Sequence, residues 1–389
     1  MPCSIVGWSH LPFGKNVTDD LESLIASAAS QAIAHAEIDA SLVGGIWLGN
    51  LNGGFVPDIF ASSLVLQADQ ALRWAGSTRV ENACASGAAA VYSACDAIES
   101  GRIKAALVVG AELMTRRSTA EVAAILGGCS YHKEEGNLGL TFPGIFAKYA
   151  KAYFEQFGDH STTLARIAAK NHANGVRNPY AQMKKDLGFD FCNTVSAKNP
   201  IVADPLRVTD CSLISDGAAA LLIVNSDMAA DFPRAVEFKA RSHVNDYLPM
   251  SRRSNLTDFE GPLRAWAQAY TQAGCSVADL SFAEVHDCFT IAELLSYEAM
   301  GLATAGKGAS VVEDGTVFPG GKLPVNASGG LKAKGHPIGA TGVSMHVIGA
   351  MQLCGEAGTF QLPAPETGAI FNMGGSAVAN YVSILRRIR

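Results

Sequence analysis

The alternation of strand-like and helix-like segments limits the fold of this chain more than any single residue does. Ser4–Gly7 reads as a first strand, and Leu21, Leu24, Ile25, Ala28 and Ala32 make an amphipathic helix of 20–36. Val43–Gly49 reads as a second strand, followed by the permissive turn Gly49–Gly54 and a helix from about Ile59 to Ala71. Ser77–Val80 is predicted as a short buried strand running into a helix that Gly101 stops, and Ala105–Glu112 as the next strand. Repeated strand–helix–strand units predict a sheet covered by helices on its faces.

The rhythm breaks between about Arg116 and Arg207, where Ile145–Gln156 and Ser161–Asn174 read as helices between Gly/Asn/Pro breaks. It resumes with the strand-sized apolar run in Asp216–Val224. A second α/β stretch follows, with a strand at Ser281–Val285, a helix at Thr290–Met300, and a helix after Pro337 that places His336 at its cap. Ala369–Asn372 and Val378–Leu385 close the chain as a hairpin. The implied division is a first half of 1–115 with 208–230, an inserted loop domain of 116–207, and a second half of 231–389.

Composition agrees with a compact enzyme: 389 residues with 48% hydrophobic and 17% charged bury a large core. A net charge of −6 offers no electrostatic footprint for nucleic acid. No apolar run approaches a membrane span, and Met1–Gly7 has no signal-peptide pattern. Nine scattered cysteines without a C-x-x-C pair argue for reduced thiols and against a zinc site. Arg387-Ile388-Arg389 is not a peroxisomal signal. The expected location is the cytoplasm, with no membrane partner.

Three loops at element ends carry reactive side chains: Cys84, His286 with Cys288, and His336. Cys84 sits where a strand meets a helix among small residues. The N–H groups of a helix start favour a thiolate there, which makes Cys84 a candidate nucleophile; a buried structural cysteine is the alternative. A fourth, glycine-rich loop is Met373-Gly374-Gly375-Ser376.

The motifs Asn82-Ala83-Cys84-Ala85-Ser86-Gly87, Ser215–Ala220, His286-Asp287-Cys288-Phe289 and Gly335-His336-Pro337-Ile338-Gly339-Ala340-Thr341-Gly342, in this order, resemble the thiolase superfamily over essentially the whole chain. Most thiolases carry Asn-Glu-Ala-Phe in place of His286–Phe289 and a Cys-x-Gly near the C-terminus, where this chain has Met373-Gly374-Gly375. The combination is similar to the sterol-carrier-protein-X type, as are Phe142–Ala147 and Asn178–Ala181. The resemblance implies two βαβ-rich halves in a five-layered αβαβα sandwich with a loop domain, in dimers or larger assemblies.

It also implies an acyltransferase that cleaves a 3-ketoacyl-CoA with CoA as co-substrate, with no bound cofactor and no metal. Cys84 would be the nucleophile and His336 its base. His286 would donate to the enolate, and Cys288 would be the second acid/base. The N–H groups of Cys84 and Gly375 would form an oxyanion hole, while Ser212 and Phe289 would contact substrate. Lys184, Lys185, Lys332 and Lys334 are candidates for CoA phosphates, against a solvated surface. A small OB-fold, zinc-ribbon subunit is a possible partner. The rivals are a decarboxylating ketosynthase, a thiolase-like aldolase and a non-catalytic acyl-CoA-binding subunit; the presence of both Cys84 and Cys288 argues against them. Steroid side chains, branched chains and aryl-substituted ketoacyl-CoAs such as a benzoylsuccinyl-CoA all stay open as substrates.

Overall fold

The computed structural model describes residues 2–16 and 18–389, and every side chain of these except that of Leu138. Met1 and Val17, which fall within the predicted first half, lie outside the described residues. Strand β1 spans Cys3–His10, fully buried and longer than its predicted core. Helix α1, Leu21–Ala36, starts at Asp20, whose side chain accepts the Ser23 N–H, and it buries the expected stripe. After β2, Gly45–Gly49, the predicted helix is two 3₁₀ segments, Ala61–Ala68 and Gln70–Trp74. They part at Asp69, which turns extended and accepts the Ala71 N–H with its own side chain. Then come β3, Gly76–Val80, α2, Ser86–Glu99, and β4, Ala105–Glu112. Strand β3 is not buried as predicted: it is a sheet edge with exposed side chains.

The insertion holds α3, Thr119–Gly127, α4, Phe142–Phe157, α5, Ser161–Arg177, α6, Gly188–Asn193, and a small hairpin of β5, Ile201–Ala203, and β6, Leu206–Arg207. The main sheet resumes with β7, Gly217–Asn225, and β8, Val236–Asn245. Helix α7, Glu260–Ala273, β9, Phe282–Val285, α8, Thr290–Ala299, and the short α9, Ser310–Glu313, and α10, Gly330–Lys334, follow. Helix α11, Ile338–Cys354, and the hairpin of β10, Thr367–Gly374, and β11, Ala379–Arg387, complete the chain. Pro337 itself is the cap residue of α11, so His336 stands one residue ahead of the predicted place.

The strands run in the order β3-β2-β4-β7-β1-β8-β11-β10-β9. The join between β1 and β8 is narrow, with only Ser4 opposite Glu237 and Ile5 opposite Val236, so the sheet divides there into two halves. Helix α1 covers the first half on one side, with α2 on the other. Helix α11 packs against α2 and touches strands of both halves, while α7 covers the far side of the second half and α8 packs on α7 and on α4 and α5. Five layers result, α–β–α–β–α. From Ile338 to Leu353 every residue of α11 is buried, as a helix at the centre of such a stack must be.

Glycine sets the spacing of the central layer. A Cβ on Gly342 of α11 would lie 2.2 Å from the Ala88 nitrogen of α2, and one on Gly87 would lie 2.7 Å from the Val343 nitrogen. That close approach brings the start of α2, with Cys84, to the start of α11, with His336.

Candidate active site

Cys84 follows a short loop held by its own side chains. The Ser86 hydroxyl donates to the Ala83 carbonyl and accepts the Asn82 N–H, and Glu81 accepts the Ala83 N–H. This fixes Ala83 at φ +49°, a left-handed conformation that a non-glycine residue adopts only under such constraint. Helix α2 begins two residues after Cys84. The backbone N–H groups of Gly375 and of Cys84 itself face the sulfur. The thiol is nevertheless not acidic. Burial pushes it up to about 12, and the Glu112 and Glu81 carboxylates add to the rise, outweighing the two N–H groups. The helix-start expectation of a lowered pKa is therefore corrected: the burial that walls off the sulfur costs the thiolate more than the donors return.

His286, at the end of β9, and His336 converge on that sulfur from the second half. Cys84 Sγ and a ring nitrogen of each histidine all lie within 4.8 Å of one another. The rings meet edge to face, 5.0 Å between centroids. Both imidazoles are held neutral by burial, that of His336 at about 3 with the Lys334 ammonium adding to the effect, that of His286 well below its usual range.

The hydrogen bonds assign the protons. Thr341 Oγ1 donates to the Pro337 carbonyl at 3.0 Å, which uses its one hydrogen, so at 2.7 Å His336 Nδ1 must donate to Thr341. His336 Nε2 is then a bare lone pair. Asn372 Nδ2 lies 3.2 Å from the Cys84 carbonyl, an acceptor, and this fixes the orientation of the amide. The same Nδ2 lies 2.9 Å from His286 Nδ1, which must accept, leaving the proton on Nε2. Both Nε2 atoms are buried without a protein partner among the described residues. One is a base and the other a donor, aimed into one space. A cation on the same three residues would need His286 Nε2 as a lone-pair ligand, the opposite tautomer to the one Asn372 imposes.

Cys288 is buried beside them. Burial holds its thiol well above the usual range, a thiolate on Cys84 would raise it further, and the Phe289 N–H opposes both. Its carbonyl accepts the Ser212 N–H at 2.9 Å. Cys84, Cys288, His336, Ser212, Phe289 and Gly375 line one cavity of about 200 Å³. All the predicted site residues thus meet in one place, since His286 adjoins Cys84 and His336. Lys332 and Lys334 are not on a solvated surface: both are buried, and Lys334 Nζ donates to Ser344 Oγ at 2.7 Å, while Lys184 and Lys185 are exposed.

Sequence reasoning missed three supports. Asn372 is the side chain that β10 offers to the site; its neighbour Met373, which the motif comparison put opposite the usual cysteine, is packed in the core. Successive strand residues face opposite sides, so a shift of one position changes which side chain is presented. Thr341 lies in the Gly335–Gly342 motif, which by itself gives it no role; its partner His336 does. Glu112 ends β4 and gathers the N–H groups of Leu51, Asn52 and Gly339 together with Asn50 Nδ2, tying the loop after β2 to the start of α11. A carboxylate directly after an apolar strand was the available signal.

Residues 3–227 match the family description Thiolase, N-terminal domain, and residues 242–387 match Thiolase C-terminal domain-like. The chain is 35% identical to an acetyl-CoA acetyltransferase of Methanothermobacter thermautotrophicus over 387 residues, 99% of each. It is 31% identical to sterol carrier protein 2 of Oryctolagus cuniculus over 96% of this chain and 70% of that protein. Among solved structures, the Ltp2-ChsH2(DUF35) aldolase superposes with a TM-score of 0.84 at 22% identity, covering 100% of this chain and 98% of that one, a likeness of fold.

Proposed function

Because the chain belongs to the thiolase family and is an acyltransferase of CoA thioesters, we propose that it cleaves a 3-ketoacyl-CoA with CoA through an acyl-enzyme on Cys84. The observation that carries this reading is the pair of opposed Nε2 atoms, a lone pair and an N–H, beside one thiol. His336 Nε2 takes the proton of Cys84, and the thiolate attacks the 3-keto carbon. The N–H groups of Cys84 and Gly375 receive the oxyanion. As the C2–C3 bond breaks, the electron pair moves to the thioester oxygen of the leaving acyl-CoA. His286 Nε2–H and the newly protonated His336 both donate to that enolate. Cys288 then gives its proton to C2. In the second half-reaction the Cys288 thiolate takes the thiol proton of CoA, whose sulfur attacks the acyl-enzyme and releases the Cys84 thiolate, which takes back the proton held on His336. The protons balance over the cycle, and run backwards the same steps make a Claisen condensation. Asn372 and Thr341 act as positioning residues, each fixing one tautomer.

In this reading 1–115 with 208–230 and 231–389 are the two thiolase halves, and 116–207 is the loop domain over the cavity. Two copies would join through the edge strand β3 and its exposed neighbours Ile59, Phe60 and Trp74, which are 75–85% exposed. A small OB-fold subunit remains part of the proposal, supported by the DUF35 component that the structural neighbour's name carries. No helix among the described residues is long and apolar enough to cross a membrane.

Product analysis tests the reading. A 3-ketoacyl-CoA should yield two acyl-CoA products only when free CoA is supplied. Release of carbon dioxide from a malonyl-type thioester, with no need for CoA, would replace it by decarboxylating condensation.

A further inference from the structure

The Gly375 N–H that faces the Cys84 sulfur belongs to a turn with little to hold it from the side of the site. Gly375 stands at φ +63° and lines both the cavity over Cys84, of about 200 Å³, and an adjoining one of about 790 Å³. With no side chain to restrain it, a glycine aims its N–H only as well as its neighbours are fixed. Here the fixing comes from behind. Arg253, between β8 and α7, has a side chain only 5% exposed. Its Nη1 donates to the Ser376 carbonyl and to the Tyr149 hydroxyl, each at 2.5 Å. The Tyr149 hydroxyl gives its own hydrogen to the same carbonyl at 2.9 Å, and its ring stacks on Phe146 with 5.5 Å between centroids. Nε and Nη2 hold the Tyr247 carbonyl at 3.1 and 2.8 Å, and the Asp246 N–H donates to the Val378 carbonyl at 2.8 Å. Among the described residues, the acid within ion-pair distance of this guanidinium is Asp246, at 3.6 Å. The shorter bonds all go to neutral oxygens, so the fork of donors serves geometry more than charge pairing.

We infer that Arg253, with Tyr149, positions the oxyanion hole: the pair clamps Ser376 so that the Gly375 N–H stays aimed at the carbonyl oxygen of the group on Cys84. The inference rests on the acyl-enzyme reading and adds to it two residues from outside the cavity, Tyr149 from the insertion and Arg253 from the second half. Loss of one oxyanion donor slows turnover on the order of 10²- to 10³-fold, and a donor displaced by about an ångström forfeits much of the same stabilisation.

The test compares two reactions of the Cys84 sulfur, one that builds an oxyanion and one that does not. Loading of the whole enzyme by a 3-ketoacyl-CoA, without free CoA, is followed by intact mass. Alkylation by iodoacetamide at about pH 9 is followed alongside. Arg253→Met keeps much of the apolar stem and loses every donor. It should slow loading at saturating substrate on the order of 10- to 100-fold, with the half-saturating concentration within about twofold and alkylation unchanged. Arg253→Lys should recover part of the loading rate. Tyr149→Phe keeps the ring and its stack and removes one of the two donors to Ser376, so loading should slow several-fold with alkylation again unchanged. It carries the test where Arg253→Met does not fold. Wild-type loading in either Arg253→Met or Tyr149→Phe would overturn the inference, as would equal loss of loading and alkylation, the mark of a merely structural residue. Absence of any adduct on the wild-type enzyme would remove the acyl-enzyme reading and the inference with it.

Discussion

At residue scale the site is a set of proton positions. With Cys84 pushed up to about 12 and His336 held at about 3, the resting pair is thiol and neutral imidazole, and thiolate is made only as it is used. Alkylation of Cys84 by iodoacetamide should therefore rise about tenfold per pH unit from roughly pH 7 to 10, because thiolate is the reacting form and its fraction keeps growing below the pKa. A rate already flat near neutrality would mean a preformed thiolate–imidazolium pair. His336→Ala should suppress loading of Cys84 by substrate, where the base acts within the complex, whereas His286→Ala should spare loading and lower turnover; equal loss of loading in both would refute this division of roles. Asn372→Asp keeps the shape and reverses the bond, since a carboxylate accepts from His286 Nδ1 and moves the proton off Nε2. We expect kcat to fall on the order of 10²- to 10⁴-fold with KM little changed, while Asn372→Gln retains more activity. Cys288→Ala should abolish exchange of the acetyl-CoA methyl protons with deuterium, and exchange at the wild-type rate would transfer that duty to another group.

At element scale the site depends on how closely α2 and α11 approach. Gly342→Ala puts a methyl against backbone rather than against a flexible side chain, so the helices must separate, costing about 1–3 kcal/mol and moving His336 away from Cys84. Glu112→Gln turns an amide N–H donor toward donors and should lower unfolding stability by about 2–4 kcal/mol, read as an earlier denaturant midpoint. The strand–helix units were legible because a period of two and a period of 3.6 leave different apolar patterns, and the loops with Cys84, His286 and His336 stood at their junctions. What escaped depends on tertiary placement. Nothing local in Gly76–Val80 separates an edge strand from a central one. The burial of Lys332 and Lys334 follows from α10 lying under α5, and the orientation of Asn372 against Met373 follows from strand register. Helix propensity in 59–71 likewise yielded to the Asp69 side chain.

At the scale of the molecule, each half supplies what the other lacks. The first half gives Cys84 at the start of the central α2. The second gives His286, Cys288, His336 and Asn372 from β9, its following loop, the approach to α11, and β10. The exposed edge around β3 should hold two copies together, and Phe60→Asp with Trp74→Glu should shift the mass in light scattering toward one chain; an unchanged oligomer would place the contact elsewhere. The central claim is that the acyl group passes through Cys84. Mass spectrometry of the enzyme mixed with a 3-ketoacyl-CoA, without free CoA, tests it most directly. We expect an adduct with the mass of the shortened acyl group, mapped to the Cys84 peptide, discharged by added CoA and missing from Cys84→Ala; an adduct that persists in Cys84→Ala would contradict it.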